Sequence, residues 1–154
     1  MPDYERTGVL TEDDLDTPTK EQLRRGVAII ECIQEIPCNP CVDVCPTQAV
    51  SMQDINAPPH VDYDACIGCA QCVAICPALA CFVVKLEDDH ALVTLPYEML
   101  PMPAEGTIVA ALNRSGEKIG EAIVQKVKTG DTPIITIEVK PELAMQVRAI
   151  EVEP

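Results

Sequence analysis

The sequence predicts an α+β chain in three parts, on three observations. Its nine cysteines all fall between residues 32 and 81. Everything after residue 84 lacks cysteine and reads as short apolar runs separated by turn signals. The first 25 residues are polar and acidic. The expected parts are therefore an extended acidic N-terminal arm over 1–25, a cysteine unit over 26–84, and a small antiparallel β-barrel-like domain over 85–154.

The arm carries Thr11-Glu12-Asp13-Asp14-Leu15-Asp16 and then Pro18-Thr19-Lys20-Glu21-Gln22-Leu23-Arg24-Arg25. Thr17 or Thr19 is placed to cap a short helix that Gly26 ends. Otherwise the segment reads as extended. Polar segments of this kind often order against a partner subunit.

The second half of the cysteine unit reads Cys66-x2-Cys69-x2-Cys72-x3-Cys76-Pro77. Three thiolates in so short a loop can wrap one corner of an iron–sulfur cube, with backbone N–H groups turned toward the sulfurs. The fourth cysteine lies one turn further on and faces away, and the proline after it sets φ where the chain leaves. A lone CxxC pair leaves zinc and thiol redox open. A zinc-binding adaptor would explain the pairs and not the Cys-Pro endings.

An altered copy lies upstream, Cys32-x5-Cys38-x2-Cys41-x3-Cys45-Pro46, with Glu35 where a cysteine would be expected. A loop lengthened over 33–37 can still deliver Cys32 as a ligand. Alternatively Cys32 is a buried thiol ending the apolar run Val27-Ala28-Ile29-Ile30. The first site would then hold three irons or use a non-cysteine ligand.

Together the runs resemble the bacterial two-cluster [4Fe–4S] ferredoxin over residues 27–84. His60-Val61-Asp62-Tyr63-Asp64-Ala65-Cys66 is similar to the strand leading into that family's second run. Cys45-Pro46-Thr47-Gln48-Ala49-Val50 rhymes with Cys76-Pro77-Ala78-Leu79-Ala80-Cys81. The resemblance implies two [4Fe–4S] clusters with crossed ligation. Cluster A would take Cys32, Cys38, Cys41 and Cys76; cluster B would take Cys45, Cys66, Cys69 and Cys72. Cys81 is left as a packed apolar thiol.

The stretch 30–41 also looks like the altered first motif of small iron–sulfur subunits of FAD-dependent amine and amino-acid dehydrogenases, of the proline and hydroxyproline type. That resemblance implies a non-catalytic electron-transfer subunit in a hetero-oligomer with a flavin-containing oxidoreductase chain. The competing expectation is a free, diffusing low-potential ferredoxin. The flanks favour the subunit, because the cysteine unit by itself would suffice to hold the clusters.

Composition bounds the rest. The formal charge is −14, and 26–84 holds no Lys or Arg against six acids, Glu31, Glu35, Asp43, Asp54, Asp62 and Asp64. With no cation nearby, an added electron is poorly stabilised, so both clusters should have low potentials. So acidic a chain is a poor partner for nucleic acid. No apolar run reaches membrane-spanning length, and no basic-then-apolar leader opens the chain, which together predict a cytoplasmic protein. One Phe, three Tyr and no Trp make a thin core, which metal clusters would supplement.

In 85–154 the apolar runs are Ala91-Leu92-Val93-Thr94-Leu95, 107–112, 119–127, 133–139 and 145–152. Asn113-Arg114-Ser115-Gly116-Glu117 and Lys128-Thr129-Gly130-Asp131-Thr132 are hairpin punctuation. Five or six such strands predict a closed or nearly closed barrel. Neither His60 nor His90 has neighbours that suggest a base or metal site, and both are expected at the surface.

Overall fold

Short helices and antiparallel strands alternate through the first half of the chain, and strands fill the second. The computed structural model describes residues 3–33, 35 and 37–152. In order these are α1 (Asp3–Thr7), α2 (Lys20–Arg25), β1 (Val27–Ile30), α3 (Pro40–Val44), β2 (Val50–Ser51), β3 (His60–Val61), α4 (Gln71–Ile75), β4 (Cys81–Leu86), β5 (Ala91–Pro96), β6 (Ile108–Leu112), β7 (Lys118–Lys128), β8 (Ile134–Val139) and β9 (Ala149–Glu151), with single 3-10 turns at Glu12–Asp14 and Pro141–Leu143.

Helix α2 starts and stops where the sequence predicts. Thr19 Oγ1 accepts from the Gln22 N–H at 3.2 Å, and Gln22 Oε1 accepts from the Thr19 N–H at 2.9 Å. This reciprocal cap satisfies two donors that the helix end would leave open. Gly26, at φ +86°, ends the helix in a conformation that side chains disfavour.

The arm is held down. Tyr63 donates to the Asp16 carbonyl at 2.7 Å, Gln22 Nε2 donates to Asp64 at 3.0 Å, and Arg25 donates to Asp64 and to the Tyr63 carbonyl. All of these contacts fall on the lead-in to Cys66.

Seven strands form one antiparallel sheet in the order β1-β4-β5-β8-β7-β6-β9, and β2 pairs β3 in a separate ribbon. The sheet crosses from Val84 to Lys85 within β4, so the cysteine unit and the β-rich half share a wall. Alternation sorts that wall's faces. Val27 and Ile29 of β1 with Phe82 and Val84 of β4 join the large core under β5–β9, which includes Val93, Leu95, Val124, Ile135, Ile137 and Val147. Ala28, Cys81 and Val83 point the other way and pack with Cys72, Val73 and Cys76.

The expected barrel is not closed. The sheet ends at β1 on one side and β9 on the other, and no ladder joins them among the described residues. Side chains bridge that gap instead. Glu31, following β1, meets Arg148, preceding β9, and Arg114 from the β6–β7 turn. Residues 140–148 explain why β9 is short: a 3-10 turn over Pro141–Leu143 buries Ala144 and Val147, so only Ala149–Glu151 remain to pair with β6.

Candidate metal centres

The two cysteine runs fold into the same local shape. Each short helix, α3 or α4, ends on the last cysteine of its run, Cys45 or Cys76. Three residues on, Gln48 and Leu79 both adopt left-handed conformations, with φ of 57° and 55°. That bend turns the next N–H back on the sulfur: Ala49 donates to Cys45 Sγ at 3.2 Å and Ala80 to Cys76 Sγ at 3.4 Å. Left-handed residues other than glycine are strained and persist where their surroundings demand it.

Strand pairing then crosses the two copies. β1, leading into the first run, pairs with β4, leaving the second; β2, leaving the first, pairs with β3, leading into the second. The exchange carries Cys45 over to the second run. Cys45, Cys66, Cys69 and Cys72 line one largely enclosed cavity with Ala28, Gly68 and Ala70. On its wall the Ala28 N–H donates to Cys66 Sγ at 3.3 Å.

Gly68 is required there on two counts. Its φ is +68°, and a Cβ would come within 2.8 Å of the Gly26 carbonyl oxygen and 3.1 Å of its carbon.

Cys41 marks the second group. Burial, followed by the charges of Cys76, Cys72, Cys32 and Cys38, pushes its thiol up to about 11. Cys76 and Cys72 of the second run thus both lie near the cysteines of the first. Cys32 also lines a polar pocket with Asp14, Asp16, His60 and Tyr63. Of the lengthened loop at 33–37, Gln34 and Ile36 lie outside the described residues.

Cys81 occupies the seam between the groups. It is 1% exposed, and its thiol hydrogen-bonds both Cys76 and Cys72. With backbone N–H groups of Ala80, Ala78 and Leu79 adding to that bond, Cys76 is brought down to about 5 despite its burial. At Cys45 partial burial works upward, but Thr47 and the backbone N–H groups that follow outweigh it, and the thiol is lowered. Cys81 itself is raised by its two sulfur partners and by burial. It is therefore packed, as the sequence predicts, and it lies against Cys72 and Cys76.

The donor set fits clusters of several irons. A single tetrahedral ion draws its thiolates to about 2.3 Å from one point. A cube gives each thiolate its own iron, and here four cysteines surround a cavity with N–H groups on their sulfurs.

Residues 31–80 match the 4Fe–4S dicluster domain. This segment is a two-cluster ferredoxin domain, and its cofactors are two [4Fe–4S] clusters. The thiosulfate reductase electron transfer subunit PhsB of Salmonella typhi is 58% identical over 38 residues, which are 25% of this chain and 19% of that one. A Halobacterium salinarum chain named as a dimethyl sulfoxide reductase iron-sulfur subunit is 36% identical over 91 residues, 53% of this chain and 34% of its own. A sulfite dehydrogenase subunit of Allochromatium vinosum is 53% identical over 38 residues, 25% of this chain and 16% of that one. The chain thus spans about a third or less of the length of these relatives. No solved structure matches it.

Three residues at the site escaped the sequence reading. Glu31 is 7% exposed at its side chain, and Arg114 and Arg148 are 10% and 4% exposed. Arg114 gives Glu31 two hydrogen bonds, at 2.7 and 3.0 Å, and Arg148 Nε gives it a third. The expected cation-free surroundings therefore do not hold at the first run, because arginines arrive from the β-rich half. One signal was available: Glu31 is a lone acid between Ile30 and Cys32 at the end of an apolar run. Its partners, 83 and 117 residues away, gave none.

The histidines differ from one another. His60 is exposed near Asp16, while His90 is half-buried between Asp89 at 2.6 Å and Glu138 at 3.5 Å. No helix among the described residues is long and apolar enough to cross a membrane.

Proposed function

We propose that this chain is the iron–sulfur electron-transfer subunit of a larger oxidoreductase complex. Cys45, Cys66, Cys69 and Cys72 hold one cluster, and Cys32, Cys38, Cys41 and Cys76 the other. The observation that carries the reading is the shared cavity that joins Cys45 to three cysteines of the other run. Names among the relatives, electron transfer and iron-sulfur subunits of thiosulfate and dimethyl sulfoxide reductases, support the subunit role.

A [4Fe–4S] cube takes up and releases one electron at a time, at a potential set by net charge, hydrogen bonds to its sulfurs and exposure. The chain's own residues supply those settings. N–H groups of Ala28, Ala49 and Ala80 donate to ligand sulfurs. Cys72 and Cys76 are buried, whereas Cys69 is exposed and offers an edge to a partner. Placing Cys45 and Cys76 across from their own runs ties both groups into one rigid unit, so electron transfer asks little rearrangement of the protein.

The likeness of residues 30–41 to flavin-linked subunits supports a flavin-bearing partner. A diffusing ferredoxin would not need an arm tied to the lead-in to Cys66 or a sheet shared with the β-rich half. Anaerobic purification of the native chain tests the proposal. We expect about eight iron and about eight acid-labile sulfide per chain, and co-elution with a larger redox chain whose absorption identifies flavin. Elution alone, with full competence as acceptor for an unrelated reductase, would favour the free carrier. Zinc in place of iron would sink both.

A further inference from the structure

Glu31 follows strand β1 and directly precedes Cys32, and its surroundings are costly for an ordinary structural contact. Three charges lie buried together, and desolvation of such groups is repaid only when hydrogen bonding is nearly complete. Here it is. Arg114 spans both Glu31 oxygens. Arg148 adds Nε to Glu31, gives the Ala144 and Val147 carbonyls bonds of 3.0 and 2.6 Å, and lies 5.1 Å over the Phe82 ring. The Glu31 N–H meanwhile donates to the Ala80 carbonyl at 2.8 Å, four residues past Cys76. Two arginines against one buried carboxylate leave one net positive charge, with the exposed Glu12 acting on Arg148 from further off, and burial shields it poorly from its neighbours.

We propose that the Arg114–Glu31–Arg148 triad is a positioning element for Cys32 that also holds a fixed positive charge beside cluster A. The charge raises the potential of that cluster above the value the acidic cysteine unit alone would give. The inference rests on the assignment of Cys32 to cluster A. Mechanically, the triad fixes the last residue before the lengthened loop by tying it to the far edge of the sheet. Electrostatically, a nearby positive charge favours the reduced, more negative form.

Redox titration of the full chain, followed by EPR with iron counted in every sample, tests this. Arg114→Gln removes the arginine nearest the surface and leaves Glu31 paired with Arg148; it should shift cluster A to lower potential and leave cluster B in place. Glu31→Gln, which removes the negative charge, should shift cluster A the opposite way. Opposite signs from two disruptions of one contact are not what a purely structural role produces. An unmoved cluster A in Arg114→Gln with full iron overturns the proposal, as does a downward shift in Glu31→Gln.

If Arg114→Gln loses iron from the first site, Arg114→Lys decides: it must restore both the iron and the potential, and failure to restore either overturns the role. An unsubstituted chain with only half the expected iron defeats the two-cluster reading itself. That result is distinguishable from a full complement with unshifted potentials, which defeats the triad alone.

Discussion

The two cysteine runs share a turn and differ in what supports it. The second run is built into dense structure: Gly68 backs onto Gly26, Ala28 donates to Cys66, and Cys72 and Val73 are buried against β4. The first run has Pro40 opening α3, which has no N–H to give, and a loop lengthened by three residues. Support for that run comes from outside, through Glu31 and two arginines of the β-rich half. Thus the complete motif draws a backbone donor from 38 residues away, whereas the altered one is joined by distant side chains.

The sharpest test of the crossed arrangement is Cys45→Ala. Cys45 belongs to the first run by sequence and lines the cavity of the second. Its loss should remove the cluster held by Cys66, Cys69 and Cys72, lowering iron to about half. Cys32→Ala should instead damage the other cluster and abolish the spin coupling between the two in EPR of the reduced protein. If both substitutions strike the same cluster, the runs are not crossed.

Next in size is a backbone comparison. Gly68→Ala places a methyl 2.8 Å from the Gly26 oxygen at a φ of +68°. The strain should cost on the order of 1–3 kcal/mol and loosen the second site. Pro40→Ala, at the corresponding edge of the first run, restores an N–H and should be tolerated, with a slight rise in potential if that N–H reaches a sulfur. Thermal melts followed at the cluster absorption separate the two. Equal losses would mean that the runs are supported alike.

Much of this was legible in the sequence, for physical reasons. The cysteine spacings and the Cys-Pro endings act over a few residues, so their chemistry shows in the order of the letters. The Thr19–Gly26 helix and most of the later strands were legible for the same reason. The barrel was not, because alternation reports which face of a strand is buried and is silent on whether the outermost strands meet. Here Glu31 and Arg148 span the gap instead of a ladder. Nor was the pairing of β1 with β4 visible: Val27-Ala28-Ile29-Ile30 is apolar throughout, since a strand covered on both faces loses its alternation. Nor were the partners of Glu31 and Asp64 visible, because they lie far off in the chain.

A smaller effect is expected at the seam. Cys81→Ala removes a donor to Cys76 and Cys72 while leaving every assigned ligand, so iron should be unchanged. With the two acceptors serving different clusters, as proposed, both potentials should fall together. A change at one cluster only would place Cys81 within a single site. Lost iron would make it a ligand.

The smallest expected effect lies away from both runs, and for that reason it tests whether the β-rich half merely holds together or also tunes the clusters. His90, in the β4–β5 turn, is raised above its ordinary 6.5 by its hydrogen bond to Asp89 and by the charges of Glu138, Asp89 and Glu87. Folding therefore favours the protonated ring. That contribution is complete below the ordinary value and is lost as pH rises through the raised one. His90→Gln should accordingly lower the thermal midpoint more below the ordinary value than at pH well above the raised one. The ring is partly open to solvent and its charges are screened, so the difference should be small and should shrink further in salt. The cluster potentials should not move at either pH, in contrast to Arg114→Gln in the same half of the chain. An equal loss at both pH values would assign the effect to packing, and a shifted cluster potential would show that charge anywhere in the β-rich half reaches the clusters, removing the distinction drawn for the buried triad.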